Sequence, residues 1–258
     1  MFERMNRLWA ARRRRLQNIS SEAATTRPET DLIPQVEETL AVQERVLGHD
    51  HHDTNETRRR LADAYCSAHR WDAAIPVLEQ VLAYRERFSG HDDLDELETN
   101  GVRNRLAGVY RSAGRLDAAR SMLERVLECR ERILGPNLRP TVGTRRELAE
   151  MYLSAGRFGE AIALFEQNLA HDDQPYEEIH HDRCCLAAAY EAAGRWEEAI
   201  ALFEEILSYR EQLVGHDNPF ARAARDDLAR VYRSAGRFDE AVTLSDQQRR
   251  GPSSSTPQ

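Results

Sequence analysis

Apolar residues recur at spacings of three or four along most of the chain, as in Ile75, Leu78, Val81 and Leu82. This spacing predicts amphipathic helices. The pattern Leu-Ala-x-x-Tyr occurs five times, beginning at Leu61, Leu106, Leu148, Leu186 and Leu228, so the intervals are 45, 42, 38 and 42 residues. A regular period of this size is typical of supersecondary units stacked into a solenoid.

Each copy is followed by a short turn, a large apolar residue and a second helical stretch. Four turns contain Ala-Gly-Arg, and the first has His69 in place of glycine. Glycine suits a helix end that needs a positive φ, so His69 predicts strain or a slightly different turn. Most second helices end in a tail such as Arg130-Glu-Arg-Ile-Leu-Gly135. The third unit lacks this tail, which explains the 38-residue interval.

These features recur in the same register from repeat to repeat. Together they resemble the long, 42-residue form of the tetratricopeptide repeat, as in kinesin light chains and the sensor regions of STAND-type regulators. The resemblance implies an all-α fold, a right-handed α-solenoid of helix-turn-helix repeats. Kinesin light chains commonly carry two Asn before Leu-Ala, whereas here only Asn104 remains. A kinesin-type cargo preference is therefore not expected.

Three regions are predicted. Residues 1–30 form a basic N-terminal segment, whose poorly matching helix would fall within residues 5–24. Residues 31–248 form the solenoid, a half repeat followed by five repeats. Residues 249–258 are expected to be disordered, because Gly251–Gln258 has no large apolar side chain to bury. The short junction at residues 170–176 is either a hinge or a tolerated deletion.

The resemblance implies a protein or peptide partner in a concave groove lined by the first helix of each repeat. Residues two before, two after and five after the core leucine share a face that Leu and Tyr do not occupy. Arg side chains there suit carboxylates or backbone carbonyls, and Arg59, Asn104, Arg111, Arg146, Arg230 and Arg233 are the expected polar anchors. The predicted groove residues are Arg59, Asp63, Asn104, Arg111, Arg146, Glu150, Glu191, Asp226, Arg230 and Arg233. For any one of them, a merely solvated helix face is the competing interpretation.

Composition narrows the possible partners and location. The net charge is −8, all 36 basic residues are Arg, and residues 1–15 carry +5 while the rest carries −13. An acidic body disfavours nucleic acid as the main partner. Four cysteines in a chain of this length do not indicate a disulfide framework. With no apolar stretch long enough for a transmembrane helix or signal peptide, a cytoplasmic protein is expected.

The N-terminal segment also allows a second interpretation. Phe2, Met5, Leu8 and Trp9 stand beside six Arg, so residues 1–15 could contact an anionic membrane or nucleic acid. Capping of the first repeat, with a solvated arm, is preferred.

Two clusters contain metal-ligand residue types. The stretch Gly48-His-Asp-His-His-Asp53 is more simply an inter-repeat loop, because His-Asp follows other tails as well. His180, His181, Cys184 and Cys185 could place His181 with either cysteine, or His180 with Cys184, on one helix face, as in a zinc or copper site. Ordinary packing is preferred there, so no metal or other cofactor is predicted.

Catalysis finds little support in the sequence. The chain has no lysine and hence no P-loop lysine, and it lacks Gly-x-Ser-x-Gly and His-Glu-x-x-His motifs. The predicted function is a non-enzymatic interaction scaffold. The alternative is a regulatory or sensor partner of a STAND-type ATPase.

Overall fold

A computed structural model describes residues 32–88, 90, 92–170 and 176–250. These residues form helices and turns, with no β-strand among them. The predictions for residues 1–30 and for Gly251–Gln258 lie outside the described part, as does most of the short junction. The chain divides into an N-terminal unit up to Met122 and a C-terminal unit from Leu123 onward, and each is described by itself.

The N-terminal unit begins with the second helix of the half repeat. Its helices are α1 (Ile33–Val46), α2 (His52–Ser67), α3 (Trp71–Phe88) and α4 (Asp93–Ser112), followed by the first part of α5 (Leu116–Leu134). From α1 to α4, each helix packs against the next along the chain. Helices α2 and α3, joined by the turn at His69, are the first complete repeat.

The C-terminal unit contains the rest of α5 and six further helices. These are α6 (Arg139–Ser154), α7 (Phe158–Leu169), α8 (Tyr176–Ala192), α9 (Trp196–Val214), α10 (Pro219–Ser234) and α11 (Phe238–Arg250). Helix α7 has 12 residues whereas α9 has 19, because the third unit lacks the tail. Helix α11 continues to Arg250, two residues beyond the predicted end of the solenoid.

The repeated apolar positions form the core of each unit. All five core leucines are at most 4% exposed, and the alanines that follow them are equally buried. A second alanine, three residues after each post-turn apolar residue, is also buried, at Ala74, Ala119, Ala161, Ala199 and Ala241. Small side chains at these positions let neighbouring helices approach closely, as the sequence predicted.

All five turns within repeats have the same backbone conformation. In each, the residue after Ala has a positive φ, which is +72° at Gly156 and +55° at His69. The N–H of Arg70 donates to the Tyr65 carbonyl at 2.8 Å, and Arg157 donates to Tyr152 in the same way. His69 therefore adopts the left-handed conformation of the glycines. The expectation of a different turn was wrong, and that of a strained residue is confirmed, since His69 is the one non-glycine residue with positive φ in the described ranges.

None of the described helices is both long and apolar enough to cross a membrane.

Candidate peptide-binding face

The predicted groove residues all lie on the first helices of repeats, α2, α4, α6, α8 and α10, and none of them is buried. We call them the first-helix face of the unit to which they belong. The N-terminal unit contributes Arg59, Asp63, Asn104 and Arg111. The C-terminal unit contributes Arg146, Glu150, Glu191, Asp226, Arg230 and Arg233. The helical spacing rule therefore separated accessible positions from core positions correctly.

Several of these charged residues pair with one another or with a neighbouring helix. Asp63 of α2 pairs with Arg105 of α4, and Glu191 of α8 pairs with Arg230 of α10. Arg59 pairs with Glu56 on its own helix at 2.7 Å. The Asp63 and Glu191 pairs link successive first helices, and all three pairs neutralise part of the charge on the face within the protein.

Arg146 has a different role from the free anchor that the sequence suggested. Its guanidinium contacts the carboxylate of Asp182 through Nε, and its Nη2 lies 3.0 Å from Asp182 Oδ2. Asp182 is fully buried. Asn168 also donates to Asp182 at 3.1 Å, while its own side-chain oxygen accepts from Arg145 at 3.0 Å. Arg146 is thus the counter-charge of a buried carboxylate, and its removal would affect stability as well as any binding.

Three charged residues of the faces are left for a partner. Within the described ranges, Arg111, Asp226 and Arg233 are exposed and have no side-chain partner. Asn104 is half-buried and also has no such partner there. Arg111 and Arg233 each offer five N–H donors in a planar fork, which suits carboxylates and backbone carbonyls.

A set of arginines, three of them buried, was missed by the sequence analysis. An arginine lies three residues before every core leucine, and in four repeats it pairs at 2.6–2.8 Å with the glutamate of the preceding tail. The pairs are Arg58–Glu44, Arg103–Glu86, Arg145–Glu131 and Arg225–Glu211. The repeated Arg and Glu are visible in the sequence, and their shared register could have suggested the pairing. The tails therefore hold consecutive repeats together.

The core tyrosines are also held in place. Each hydroxyl donates to a glutamate on the second helix of the preceding repeat. The pairs are Tyr65–Glu37, Tyr110–Glu79, Tyr152–Glu124, Tyr190–Glu166 and Tyr232–Glu204. Burial, together with the hydrogen-bonded glutamate, raises the pKa of Tyr110, Tyr190 and Tyr232 to about 12. These phenols are neutral structural donors at physiological pH.

The loop Gly48–Asp53 has a structural role consistent with its interpretation as an inter-repeat loop. His51 Nδ1 accepts a hydrogen bond from the Asp53 N–H at 3.1 Å and so caps helix α2. The His49 carbonyl accepts from Arg58 at 2.7 Å, and the His49 ring lies 2.9 Å from the same guanidinium. These histidines therefore already have partners in the loop and its buried arginine.

The His/Cys cluster of α8 separates into two pairs. His180 Nε2 lies 3.8 Å from Cys184 Sγ, and His181 Nε2 lies 3.6 Å from Cys185 Sγ. The second pair is joined by Glu150 of α6, whose Oε1 is 2.9 Å from His181 Nε2. Burial first, and then the nearby carboxylates of Glu150 and Asp182, raise the pKa of the Cys185 thiol to about 11, against the opposing effect of Arg146.

The sequence and the structure can both be compared with known proteins. A sequence profile of the tetratricopeptide repeat matches residues 32–87, 98–174 and 178–247. No protein of curated function matches the chain.

Two solved structures illustrate the likeness of fold. A kinesin light chain-like protein of Podosopora anserina, with nearly identical TPR-like repeats, is 26% identical, with a TM-score of 0.60 over 78% of this chain and 95% of that one. BtubC (BKLC) from P. vanneervenii is 18% identical, with a TM-score of 0.58 over 90% of this chain and 96% of that one. The second likeness concerns the fold alone.

Proposed function

Because the chain belongs to the tetratricopeptide repeat family, we propose that it is a non-enzymatic interaction scaffold that binds an extended peptide or a partner segment on its first-helix faces. Solenoids of this kind present a long accessible surface, and stacking against neighbours fixes the geometry of each repeat. Proteins with this fold typically act through binding. The absence of lysine from the sequence also excludes a P-loop lysine or a lysine Schiff base.

This proposal rests on the contrast between paired and unpaired charged residues on the first-helix faces. Asp63, Glu191 and Arg230 are bound to neighbouring helices and keep the first helices in register. Arg111 and Arg233 are exposed and have no side-chain partner within the described ranges. A rigid surface with unpaired guanidinium forks is suited to carboxylates or carbonyl groups of an extended segment, since little ordering of the protein is required.

The free thiols agree with a reducing compartment. Cys66, Cys184 and Cys185 are half-buried, and none of these three forms a disulfide bond within the described ranges. The cytoplasm is therefore part of the proposal, because thiols persist in a reducing compartment without forming disulfides.

Affinity capture from the native host, followed by mass spectrometry, identifies the partner. Charge reversal by Arg233→Glu and by Arg111→Glu is expected to reduce capture, because each replaces an unpaired guanidinium with a carboxylate. The matched control is Arg222→Glu, also on α10 and exposed, but outside the predicted face. Undiminished capture by both face variants would contradict the proposed surface.

The identity of the partner also tests the alternative role. If the unmodified protein captures a STAND-type ATPase and Arg233→Glu does not, the chain is assigned as the regulatory or sensor partner of that ATPase. Recovery of other proteins through the same face would favour a general scaffold.

A further inference from the structure

Helices α6 and α8 bring three side chains of metal-ligand type together on the surface of the C-terminal unit. Cys185 and His181 are four residues apart on α8, and Glu150 reaches them from α6. One ligand atom from each lies within 4.8 Å of the other two. Among the described residues, this is the one group of three His, Cys, Asp or Glu side chains that meets this distance.

The distances fit tetrahedral coordination. With a Zn–S bond of about 2.3 Å and a Zn–N bond of about 2.05 Å, a tetrahedral angle places sulfur and nitrogen about 3.6 Å apart. The Cys185 Sγ to His181 Nε2 distance is 3.6 Å. A tetrahedral pair of nitrogen and carboxylate oxygen would be about 3.4 Å apart. Glu150 Oε1 and His181 Nε2 are 2.9 Å apart, so a shift of about half an ångström by an accessible glutamate would be enough.

The charges around the cluster favour a cation. Arg146 is paired with Asp182, so these two residues largely compensate each other. Glu150 has a hydrogen bond with His181 and no arginine paired with it in the described ranges. A divalent ion would supply the missing positive charge and would replace the thiol proton of Cys185.

The neighbouring pair, His180 and Cys184, is a poor alternative. His180 Nε2 lies 3.2 Å from the guanidinium of Arg210, which uses the lone pair of this nitrogen and adds a positive charge beside it. The two cysteines also belong to different His–Cys pairs on α8. The structure thus distinguishes between arrangements that the sequence left open.

We propose that Glu150, His181 and Cys185 bind one zinc ion, with the fourth coordination position open to solvent. One thiolate, one imidazole and one carboxylate form a ligand set that suits zinc. The side chains of His181 and Glu150 are 53% and 41% exposed, so the ion can reach the site and a water molecule can complete the tetrahedron. This site does not depend on the proposed binding of a peptide.

The competing explanation is a simple hydrogen bond between His181 and Glu150, with Cys185 nearby. It would produce the short nitrogen–oxygen distance without any ion. The two explanations differ in their dependence on Cys185, because a His–Glu hydrogen bond does not require the thiol.

The experiment uses the full-length, tag-free and reduced protein. Zinc is titrated in competition with a chromophoric chelator, and Co²⁺ is used as a spectroscopic probe for thiolate coordination. Cys185→Ser and His181→Asn remove proposed ligands. Cys184→Ser and His180→Gln are the matched controls on the same helix, and circular dichroism verifies that every variant is folded.

We expect one equivalent of zinc and a thiolate-to-cobalt charge-transfer band in the unmodified protein. Loss of even an outer-shell residue typically weakens metal binding roughly 10- to 100-fold, so each ligand variant should weaken zinc binding by at least about tenfold. Cys185→Ser should also abolish the band, while both controls keep affinity and spectrum. Failure of the unmodified protein to take up zinc, a cobalt complex without the band, or equal losses in Cys184→Ser and Cys185→Ser would each overturn the site.

Discussion

Replacing Arg146 with alanine is expected to destabilise the C-terminal unit by about 3–5 kcal/mol. The reason is the environment of Asp182, which is fully buried and receives both a bidentate contact from Arg146 and one hydrogen bond from Asn168. Without the guanidinium, the Asn168 amide is the one remaining side-chain partner of this buried negative charge within the described ranges. Breaking such a pair from one side is costly, because the desolvation of the remaining charge is no longer offset.

A matched comparison on the N-terminal unit isolates this effect. Arg59 is also a predicted groove residue and also forms an ion pair, but its side chain is 51% exposed. Exposed pairs contribute only about 0.2–1 kcal/mol. Arg59→Ala therefore removes a guanidinium from an equivalent position at a small cost, so the difference between the two variants measures the burial of Asp182.

Thermal and urea unfolding, followed by circular dichroism, measure the change. At about 2–4 °C for each kcal/mol, the melting temperature should fall by roughly 6–20 °C in Arg146→Ala. Repeat proteins can unfold in parts, so amide hydrogen exchange in α8 should be measured as well. Protection of α8 should decrease in Arg146→Ala and remain unchanged in Arg59→Ala.

The double variant Arg146→Met with Asp182→Leu provides a second test. Replacing both partners of a buried ion pair with apolar residues is often neutral or stabilising, so this protein should regain most of the lost stability. If Arg146→Ala is no less stable than Arg59→Ala, the reasoning from the buried carboxylate is refuted.

Four further substitutions test the turn, the core and the tyrosine contacts. His69→Gly should raise the free energy of unfolding by up to about 1 kcal/mol in urea titrations, because glycine adopts the left-handed conformation without strain. Gly156→Ala should lower it by about 1–2 kcal/mol. A loss of stability in His69→Gly would contradict the strain at this position. Leu148→Ala, at a position 3% exposed, should cost about 2–5 kcal/mol in the same assay. The Tyr232 pKa of about 12 lies above the unfolded value of about 10, so its stabilising contribution is present below pH 10 and is lost as pH rises through 12. In Glu204→Gln, spectrophotometric titration should give a Tyr232 pKa that is lower but still above 10, since burial is the largest cause of the shift.

Much of the fold is visible in the sequence because it depends on local periodicity. The leucines of Leu-Ala-x-x-Tyr and the glycines of the turns mark the core positions and the helix ends in each repeat. The tail that is absent from the third unit is visible in the sequence, and the structure shows its counterpart in the short helix α7. Even His69 was identified as exceptional, although the sequence did not show that it would adopt the same φ as glycine.

The candidate face was predicted less completely. The spacing rule found the accessible positions, but it treated Arg146, Arg111 and Arg233 as equivalent anchors. In the structure, Arg146 is bound to a buried carboxylate, while the other two are exposed without a side-chain partner in the described ranges. A side chain at the edge of a helix can face either solvent or a buried group, and helical spacing does not distinguish these environments.

By itself, the sequence determined the repeat period, the core positions, the turns and the accessible face, because each follows from the spacing of residues within one helix or one turn. Only the tertiary structure decided which polar groups meet. Glu150 reaches His181 and Cys185, and Arg146 reaches Asp182, across more than thirty residues. These contacts depend on how α8 packs beside α6 after the shortened α7. The physical reason is that charge pairing and metal coordination are decided by distances of a few ångströms and by the loss of water around each group.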